Sequence, residues 1–406
     1  MDKMNKIAMA DESLHYRYKQ DSNIPIGVLG MIDDTLAISE CGSDSIRKNA
    51  VINSFMESER LTLSEEKSVV LHYGSERKCV VPCPTLRVHN EPMLKKTDAK
   101  YLGNMLSTED GLNATIEDRR SKGWGKIASI MGILSEVDMG VHKLEAGLKL
   151  REAILINSVL YSAEAWSGVT QKHLARLEVV DTALLRKLTG GHSKCPTEFH
   201  HLETRTWKLR HHLTYLRLMY HHQILSRDDN ETIKKIYQKQ KSMYCKGDWY
   251  QLIKEDFEFI NCDINEEEIA STPKSIYKTK IKNLVNKAAF NYFLNIKETH
   301  SKLDETLYTQ FELQPYLTTS LLTQSEKELL YLLRSKCHSS KNNFRKLHKN
   351  NTQCQFQCGT AEDQRHTFFK CKHLVNKINN SLLVHYEHIF GTLDEQIEVM
   401  KIFAKI

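Results

Sequence analysis

The sequence predicts an α+β protein that is mostly helical, with a small antiparallel sheet near the beginning of the chain. Between residues 27 and 107, short apolar runs alternate with turn residues and enclose one helical run. From about residue 112 onward, apolar residues recur at the spacing of helices. With 406 residues, of which 40% are hydrophobic and 27% charged, the chain has the composition of a folded protein of two or three domains.

The first region opens with a strand–turn–strand pattern over residues 28–39, in which two aspartates interrupt an apolar run. A helical run, DSIRKNAVINSFMESERL, comes next, and the segment LTLSEEKSVVLHYG then returns to a strand-like pattern. The segment KYLGNMLS, at residues 100–107, is typical of one further short strand. Together these patterns predict a compact α/β region.

The rest of the chain shows the apolar patterns of a helical bundle. One helix face is indicated by Leu209, Leu213, Leu216, Tyr220 and Ile224, and a second helix by Leu174, Leu177, Leu184 and Leu188. The run LREAILINSVLYSAEAW is apolar on more than one face, which predicts a central position in the bundle. Lys-rich polar helices are expected over residues 226–335.

Three pairs of adjacent histidines accompany these helices. They lie off the apolar stripes, and we therefore expect them on a solvated face of the bundle. The pairs are His200 and His201, His211 and His212, and His221 and His222.

Charge and cysteine content narrow the class of protein. A formal net charge of +6 permits a nucleic-acid partner without requiring one. Ten cysteines are too sparse for a secreted disulfide scaffold, which favours a reducing compartment. No apolar run approaches the ~18 residues of a membrane span, and charges are scattered through the first residues. We expect an intracellular protein, in the nucleus or cytoplasm, with no membrane partner; its oligomeric state is left open.

The adjacent carboxylates Asp33 and Asp34 are the first candidate site. Two carboxylates ~4 Å apart repel each other by about 4 kcal/mol at an effective dielectric constant near 20. The pair therefore needs a solvated turn or a shared cation. On the pair alone, a turn that uses aspartate for its geometry and a divalent-metal site for phosphoryl transfer are equally good interpretations.

Three motifs in order favour the second interpretation. The segment MIDDTLAIS resembles the acidic hairpin of reverse transcriptases, and about thirty residues later LTLSEEKSVVLHYG resembles their next motif, which carries a lysine, here Lys67. The segment KYLGNMLS resembles the primer-grip motif of non-LTR retrotransposon enzymes, with Tyr101, Leu102 and Gly103. Helical segments downstream, including LREAILINSVLYSAEAW, resemble the thumb of the same family.

The resemblance implies a site, partners and a division into domains. Asp33 would be a Mg²⁺ ligand with Asp34 as its supporting neighbour, and Lys67 would assist pyrophosphate departure. The tripeptide Tyr101–Gly103 would seat the primer end, so an RNA template and a DNA primer are the implied partners. The implied domains are a partial palm over 1–110, a helical thumb over 111–225, a Lys-rich helical connection over 226–345, and a zinc motif with a terminal helix over 346–406.

Two departures from the family pattern affect the expected activity. Met31 stands where the family more often has tyrosine or phenylalanine. Only 32 residues precede Asp33, whereas the fingers and the first catalytic aspartate of the family should lie upstream. We therefore expect an N-terminally truncated reverse transcriptase that does not work by itself. The alternatives are a non-catalytic, zinc-containing nucleic-acid-binding protein and an inert product of a decayed element.

The second candidate site is a cysteine and histidine motif near the end of the chain. Its spacing is Cys354-x3-Cys358-x7-His366-x4-Cys371, which supplies the four thiolate and imidazole ligands of a tetrahedral zinc site. His373 competes with the last cysteine as a ligand. The motif resembles the CCHC motif that follows the thumb in site-specific non-LTR elements. It predicts a zinc ion that holds the tail folded and contributes to nucleic-acid contact.

A basic segment, STPKSIYKTKIKNLVNK at residues 271–287, is the last candidate. It predicts a helix with lysines near Tyr277 that suit contact with a nucleic-acid backbone. A charged face that is simply solvated is the commoner meaning of such a run. Both interpretations are left open.

Overall fold

The structure is a computed structural model that describes most of the chain. The described residues are 16–17, 24–31, 33–74, 84–136, 140–243, 245, 247–299, 303, 308–337, 353–354, 356–375 and 385–403. They fall into two compact units, each assembled from three separate stretches of sequence. The first unit takes residues from 1–119, 162–173 and 216–278, and the second from 120–161, 174–215 and 279–406.

The strands of the described residues form five two-stranded pairs rather than one sheet. Their bounds are β1 Tyr16–Arg17, β2 Pro25–Ile26, β3 Val28–Met31, β4 Asp34–Ala37, β5 Val69–Leu71, β6 Arg87–Val88, β7 Glu91–Pro92, β8 Leu94–Lys96, β9 Asp98–Tyr101 and β10 Asn104–Ser107. Four pairs are antiparallel, whereas β5 pairs with β8 in parallel. The predicted antiparallel sheet is therefore confirmed only as short hairpins, because strands of two to four residues each find one partner among the described residues.

Helices make up most of the described structure, which confirms the mostly helical α+β class. The α-helices are α1 Gly42–Ser58, α2 Leu112–Glu136, α3 Lys143–Leu150, α4 Asn157–Val159, α5 Gln171–Thr189, α6 Thr197–Thr204, α7 Leu209–Leu225, α8 Thr232–Met243, α9 Trp249–Phe259, α10 Glu266–Ser271, α11 Lys274–Thr299, α12 Gln324–Arg334, α13 Lys372–Val375 and α14 Leu393–Phe403. Short 3-10 turns lie at 140–142, 163–165, 315–317 and 386–390, and π-helical turns at 151–156 and 366–370. None of the described helices is long and apolar enough to cross a lipid bilayer.

The acidic hairpin consists of β3 and β4, as the strand–turn–strand pattern predicts. Met31 pairs with Asp34, so two residues form the connection, and Asp33 is one of them. Val28 is buried against Phe55 and Met56 of α1, which fixes one face of the hairpin. The opposite face leaves Met31 55% exposed. The packing therefore holds the hairpin by its base and leaves its acidic end in solvent.

The segment at 100–107 is a hairpin and not the single strand that its pattern predicts. Strands β9 and β10 pair from Tyr101 with Asn104, so Leu102 and Gly103 form a two-residue turn. Both residues have positive φ, 44° and 79°, which is the backbone of a type I′ turn. Glycine is the usual second residue of that turn, and the Leu-Gly dipeptide is the signal that the single-strand interpretation overlooked.

Buried polar contacts connect the helices of the first unit. The guanidinium of Arg217 donates to the carbonyl oxygen of Trp166 over 3.1 Å and lies 3.5 Å from Asp256, which is also buried. The hydroxyl of Tyr237 donates to Glu266 and lies 2.8 Å from Nε2 of His221. These contacts join α7 to α8, α9 and α10.

A large apolar core organises the second unit around α6 and α12. Its fully buried members include Phe199, Tyr316, Leu330, Tyr331, Leu333, Ile389, Val399 and Met400. Helix α12 begins with a capping box, in which Thr323 and Glu326 each bond to the other's backbone amide. The apolar face of α12 packs in the core, and the capping box fixes the residue at which the helix begins.

An ion pair lies inside this core. Glu203 of α6 and Arg334 of α12 are both buried, and Nη2 donates to Oε1 over 2.8 Å. The hydroxyls of Tyr308 and Tyr316 also donate to the Glu203 carboxylate. The remaining guanidinium nitrogen, Nη1, donates to the carbonyl oxygen of Ile389 over 2.9 Å. A buried charge pair of this kind is tolerated because nearly all of its hydrogen-bonding groups have partners.

The prediction of a solvated histidine face is wrong. All six histidines are buried, with exposed fractions of 8% or less. Aromatic rings pack against them: Tyr331 against His200, Phe293 against His201, Tyr292 against His211, Trp207 against His212, Tyr237 against His221 and Tyr277 against His222. A neutral imidazole packs on such rings as an apolar residue does, so helices α6 and α7 bury more of their circumference than the apolar stripe indicates.

Breaking the buried ion pair is expected to destabilise the protein strongly. Replacing Glu203 by Gln leaves the Arg334 charge buried without a countercharge, which costs about 3–5 kcal/mol. The matched control is Glu387→Gln, which removes a solvent-exposed pair with Arg365 and should cost less than about 1 kcal/mol. Urea unfolding followed by circular dichroism measures both. Equal effects of the two variants would show that the buried pair does not hold the helices.

Stability is expected to fall as the pH is lowered from 6.5. Burial lowers the pKa of His200, His211 and His212 to about 3 and that of His221 to about 4. Between these values and 6.5 the unfolded chain binds more protons than the folded one, so protonation favours unfolding. Each histidine contributes up to about 1.4 kcal/mol per pH unit in this range.

The urea midpoint measured between neutral and mildly acidic pH tests this dependence. The variant His212→Gln should show a shallower pH dependence, because one titrating group is removed. The control His142→Gln, at a side chain that is 77% exposed, should keep the original dependence. A flat profile for the unmodified protein would contradict the prediction.

Candidate metal centre

The predicted zinc ligands converge in the second unit. Cys354, Cys358, His366 and Cys371 each offer one ligand atom, and the four atoms lie within 4.8 Å of one another. The Sγ atoms of Cys354 and Cys371 are 3.8 Å apart, and Sγ of Cys358 is 3.0 Å from Nε2 of His366. The chain folds so that both ends of the motif meet.

The separation of the Cys354 and Cys371 sulfur atoms fits a tetrahedral zinc site. With Zn–S bonds of about 2.3 Å, two thiolates on one tetrahedral ion stand about 3.8 Å apart. The sulfur atoms of Cys354 and Cys371 match that separation. The donor set of three thiolates and one imidazole is a common structural zinc set. The four residues therefore fit one zinc ion, which would cross-link the loop.

A tight backbone turn places the first two cysteines. Gln357 and Gly359 have φ of 52° and 83°, so the chain reverses between them. The amide of Cys354 donates to the carbonyl oxygen of Thr360 over 2.9 Å, which closes the turn. The amide of Phe356 points at Sγ of Cys354 over 3.5 Å, as expected where backbone dipoles stabilise a thiolate.

The thiols differ in environment. Burial raises the pKa of the Cys354 thiol to about 11, whereas a backbone hydrogen bond at Thr360 lowers that of Cys358. Cys358 is also the more exposed of the two. Zinc binding requires thiolates, so it would release protons from this loop, the more so from Cys354.

The second half of the motif is positioned by its own hydrogen bonds. The amide of His366 donates to Oδ1 of Asp363 over 2.6 Å, and the amide of Cys371 donates to the carbonyl oxygen of His366 over 2.7 Å. The competing ligand His373 is not part of the converging group; its ring stacks on Phe356 at 6.3 Å between centroids. The assignment of Cys371 as the fourth ligand is thereby favoured.

We call the segment from Cys354 to Cys371 the metal loop. Gln364, which is not one of the four predicted ligands, connects this loop to the apolar core. Its side-chain amide donates to the carbonyl oxygen of Leu333 over 2.8 Å and to the hydroxyl of Tyr386 over 2.6 Å. Phe369 packs edge-on against Tyr386 and Phe403. No local sequence signal identifies Gln364, because its partners come from distant segments.

The acidic hairpin places both aspartates in solvent. Asp33 lies in the connection, and Asp34 begins β4. The pKa of the Tyr101 phenol is raised by burial and, to a smaller extent, by the charge of Asp34. Two of the predicted motifs therefore lie within electrostatic range of each other in the first unit.

Helix α2 fixes the turn that follows Tyr101. The guanidinium of Arg119 donates to the carbonyl oxygen of Gly103 over 2.8 Å and to Oδ1 of Asn104 over 2.9 Å. The hydroxyl of Thr115 donates to the carbonyl oxygen of Met105 over 2.8 Å. Sequence patterns do not identify Arg119 as the residue that holds this turn.

Two predicted features of a magnesium site are not assembled by the described residues. Lys67 is exposed in the turn before β5, and within the described ranges no hydrogen bond or ion pair joins it to Asp33 or Asp34. In the same ranges, neither aspartate belongs to a group of three or more converging metal ligands. The hairpin thus offers two carboxylates, fewer than a two-metal site uses.

Comparisons with protein-family models, with curated proteins and with solved structures find no match for this chain.

Metal removal is expected to unfold the loop from Cys354 to Cys371. The protein should bind one zinc ion per chain, and Co²⁺ in its place should give the visible absorption of a tetrahedral thiolate site. The variant Cys371→Ser should lose stoichiometric binding and expose the loop to protease, because structural zinc sites supply folding free energy. The control Cys245→Ser alters an exposed cysteine elsewhere and should bind zinc normally. Full zinc content in Cys371→Ser would contradict the assignment.

Proposed function

We propose that this chain carries the acidic hairpin, primer grip, thumb and zinc motif of a non-LTR retrotransposon reverse transcriptase. The observation that carries the proposal is that two of the motifs fold as tight hairpins of the first unit, one ending in exposed carboxylates and the other in the Leu102–Gly103 turn. Asp34 and Tyr101 lie 67 positions apart in the sequence, yet the Asp34 charge contributes to raising the pKa of the Tyr101 phenol. A polymerase needs its metal-binding carboxylates near the primer end, and these two observations support such a role.

The primer-grip turn has a further feature that supports a functional role. Leu102 is held at a φ of 44°, a conformation that is unfavourable for leucine, and its side chain is 38% exposed. At this position neither the backbone conformation nor burial of the side chain favours leucine. Residues in strained conformations concentrate at functional sites. We assign Leu102, with Tyr101 and Gly103, to contact with the primer.

Each residue then has a role. Asp33 and Asp34 bind Mg²⁺ at the exposed end of the hairpin, and Lys67 assists the departing pyrophosphate. Mg²⁺ supplies activation of the primer hydroxyl and stabilisation of the leaving oxygen. Because two carboxylates are too few for this chemistry, a further carboxylate from outside the described residues has to complete the site. Without that carboxylate, Asp33 and Asp34 do not support nucleotide addition.

A second candidate function is favoured by the metal loop. A zinc-containing protein that binds nucleic acid without extending it needs the four converging ligands and does not need Asp33. In that case binding survives Asp33→Asn and weakens in Cys354→Ser. In the polymerase proposal both the acidic hairpin and the metal loop are required.

Primer extension tests the proposal. The reading frame upstream of Met1 is sequenced, and the longest product that continues into this chain is assayed with a primed RNA template and Mg²⁺. We expect extension that Asp33→Asn abolishes, because the metal loses its principal ligand. The control Asp110→Asn removes an exposed carboxylate of the same unit and should leave extension unchanged.

Two outcomes separate the candidates. Extension that persists in Asp33→Asn would overturn the assigned metal site. Template binding without extension by any product, with loss of binding in Cys354→Ser, would favour the non-catalytic candidate.

A further inference from the structure

Helix α11 is strongly basic. It contains six lysines and one carboxylate, Glu298. Three of the lysines, Lys274, Lys278 and Lys282, follow one another at four-residue spacing and are exposed. We call these three residues the basic row. At 1.5 Å per residue, the row extends about 12 Å along one flank of the helix.

The basic row has no internal compensation. Among the described residues, no hydrogen bond or ion pair joins Lys274, Lys278 or Lys282 to a carboxylate. Like charges four residues apart destabilise a helix. The row therefore opposes the folding of α11 slightly, and a bound anion would reduce that repulsion.

The face of α11 next to the basic row packs against the protein. Tyr277, Ile281, Val285, Ala289 and Phe293 recur every four residues and are buried. Among the described side chains of this helix, Ile276 is the large apolar residue that remains exposed. A helix that binds a membrane surface needs an exposed apolar face to insert into lipid. Helix α11 has none to offer, which argues against an anionic membrane.

We infer that the basic row is a binding surface for a nucleic-acid backbone. Its charges are spaced about 6 Å apart, at the four-residue repeat of the helix, and a phosphate backbone presents negative charge at similarly regular intervals. Lysine contacts of this kind fix the position of a nucleic acid and carry no sequence preference. The surface serves the proposed polymerase and the non-catalytic candidate alike, and it does not involve Asp33 or the metal loop.

The salt dependence of binding tests the inference. The full chain is titrated with a single-stranded RNA and with an RNA–DNA duplex by fluorescence anisotropy at several salt concentrations. In the triple variant Lys274→Gln, Lys278→Gln, Lys282→Gln, the slope of log K against log [salt] should become shallower by about 3 on the duplex or about 2 on the single strand. The nucleic acid whose salt slope changes in the variant is the one that the basic row binds.

A control of equal charge change is available. The variant Lys143→Gln, Lys149→Gln, Lys172→Gln removes three exposed lysines from other helices and should shift the slope by less than one. Circular dichroism should show unchanged or greater helicity in the basic-row variant, because like-charge repulsion is removed.

Three results would overturn the inference. They are an equal shift of slope in both variants, an absence of binding to either nucleic acid at low salt, and binding to anionic phospholipid vesicles in place of nucleic acid. Because the assay measures binding alone, its failure leaves the extension test of the proposed function unaffected.

Discussion

The Glu203–Arg334 ion pair is the interaction on which the second unit depends. It joins α6 to α12 inside an apolar core, where an uncompensated charge is very unfavourable. Tyr308 and Tyr316 complete the hydrogen bonding of the carboxylate. Arg334 also donates to the backbone of Ile389 in the terminal segment. The neighbouring Leu333 accepts the amide that docks the metal loop. One end of one helix therefore anchors the core, the terminal segment and the metal centre.

Much of the helical structure could be predicted because apolar spacing reports directly on packing. Leu174, Leu177 and Leu184 are buried on α5 as their spacing indicates. The histidines could not be placed in the same way. Sequence patterns count histidine as a polar residue, whereas a neutral imidazole stacked on aromatic rings packs as an apolar side chain does. The Leu102–Gly103 turn is hard to predict for another reason: leucine disfavours the positive φ that the turn requires, so Gly103 is its only local signal.

The candidate sites differ in how far the sequence defines them. All four zinc ligands are local, within 18 residues, so their spacing alone predicts a site that the structure assembles. The acidic hairpin is also local, but a polymerase site draws its carboxylates and primer contacts from separate strands. The electrostatic influence of Asp34 on the Tyr101 phenol depends on the fold, and the sequence does not show it. The docking residues Gln364 and Arg119 have distant partners and leave no local pattern.

The discontinuous composition of the two units has a consequence for biosynthesis. The first unit needs residues up to 278, and the second needs residues after 279, while each also contains earlier stretches. During translation, residues 120–161 of the second unit emerge before the first unit has received its last segment. Neither unit can therefore complete its core as an early, autonomous domain on the ribosome. Long-range contacts of this kind slow folding and leave apolar helices exposed to chaperones and aggregation for longer.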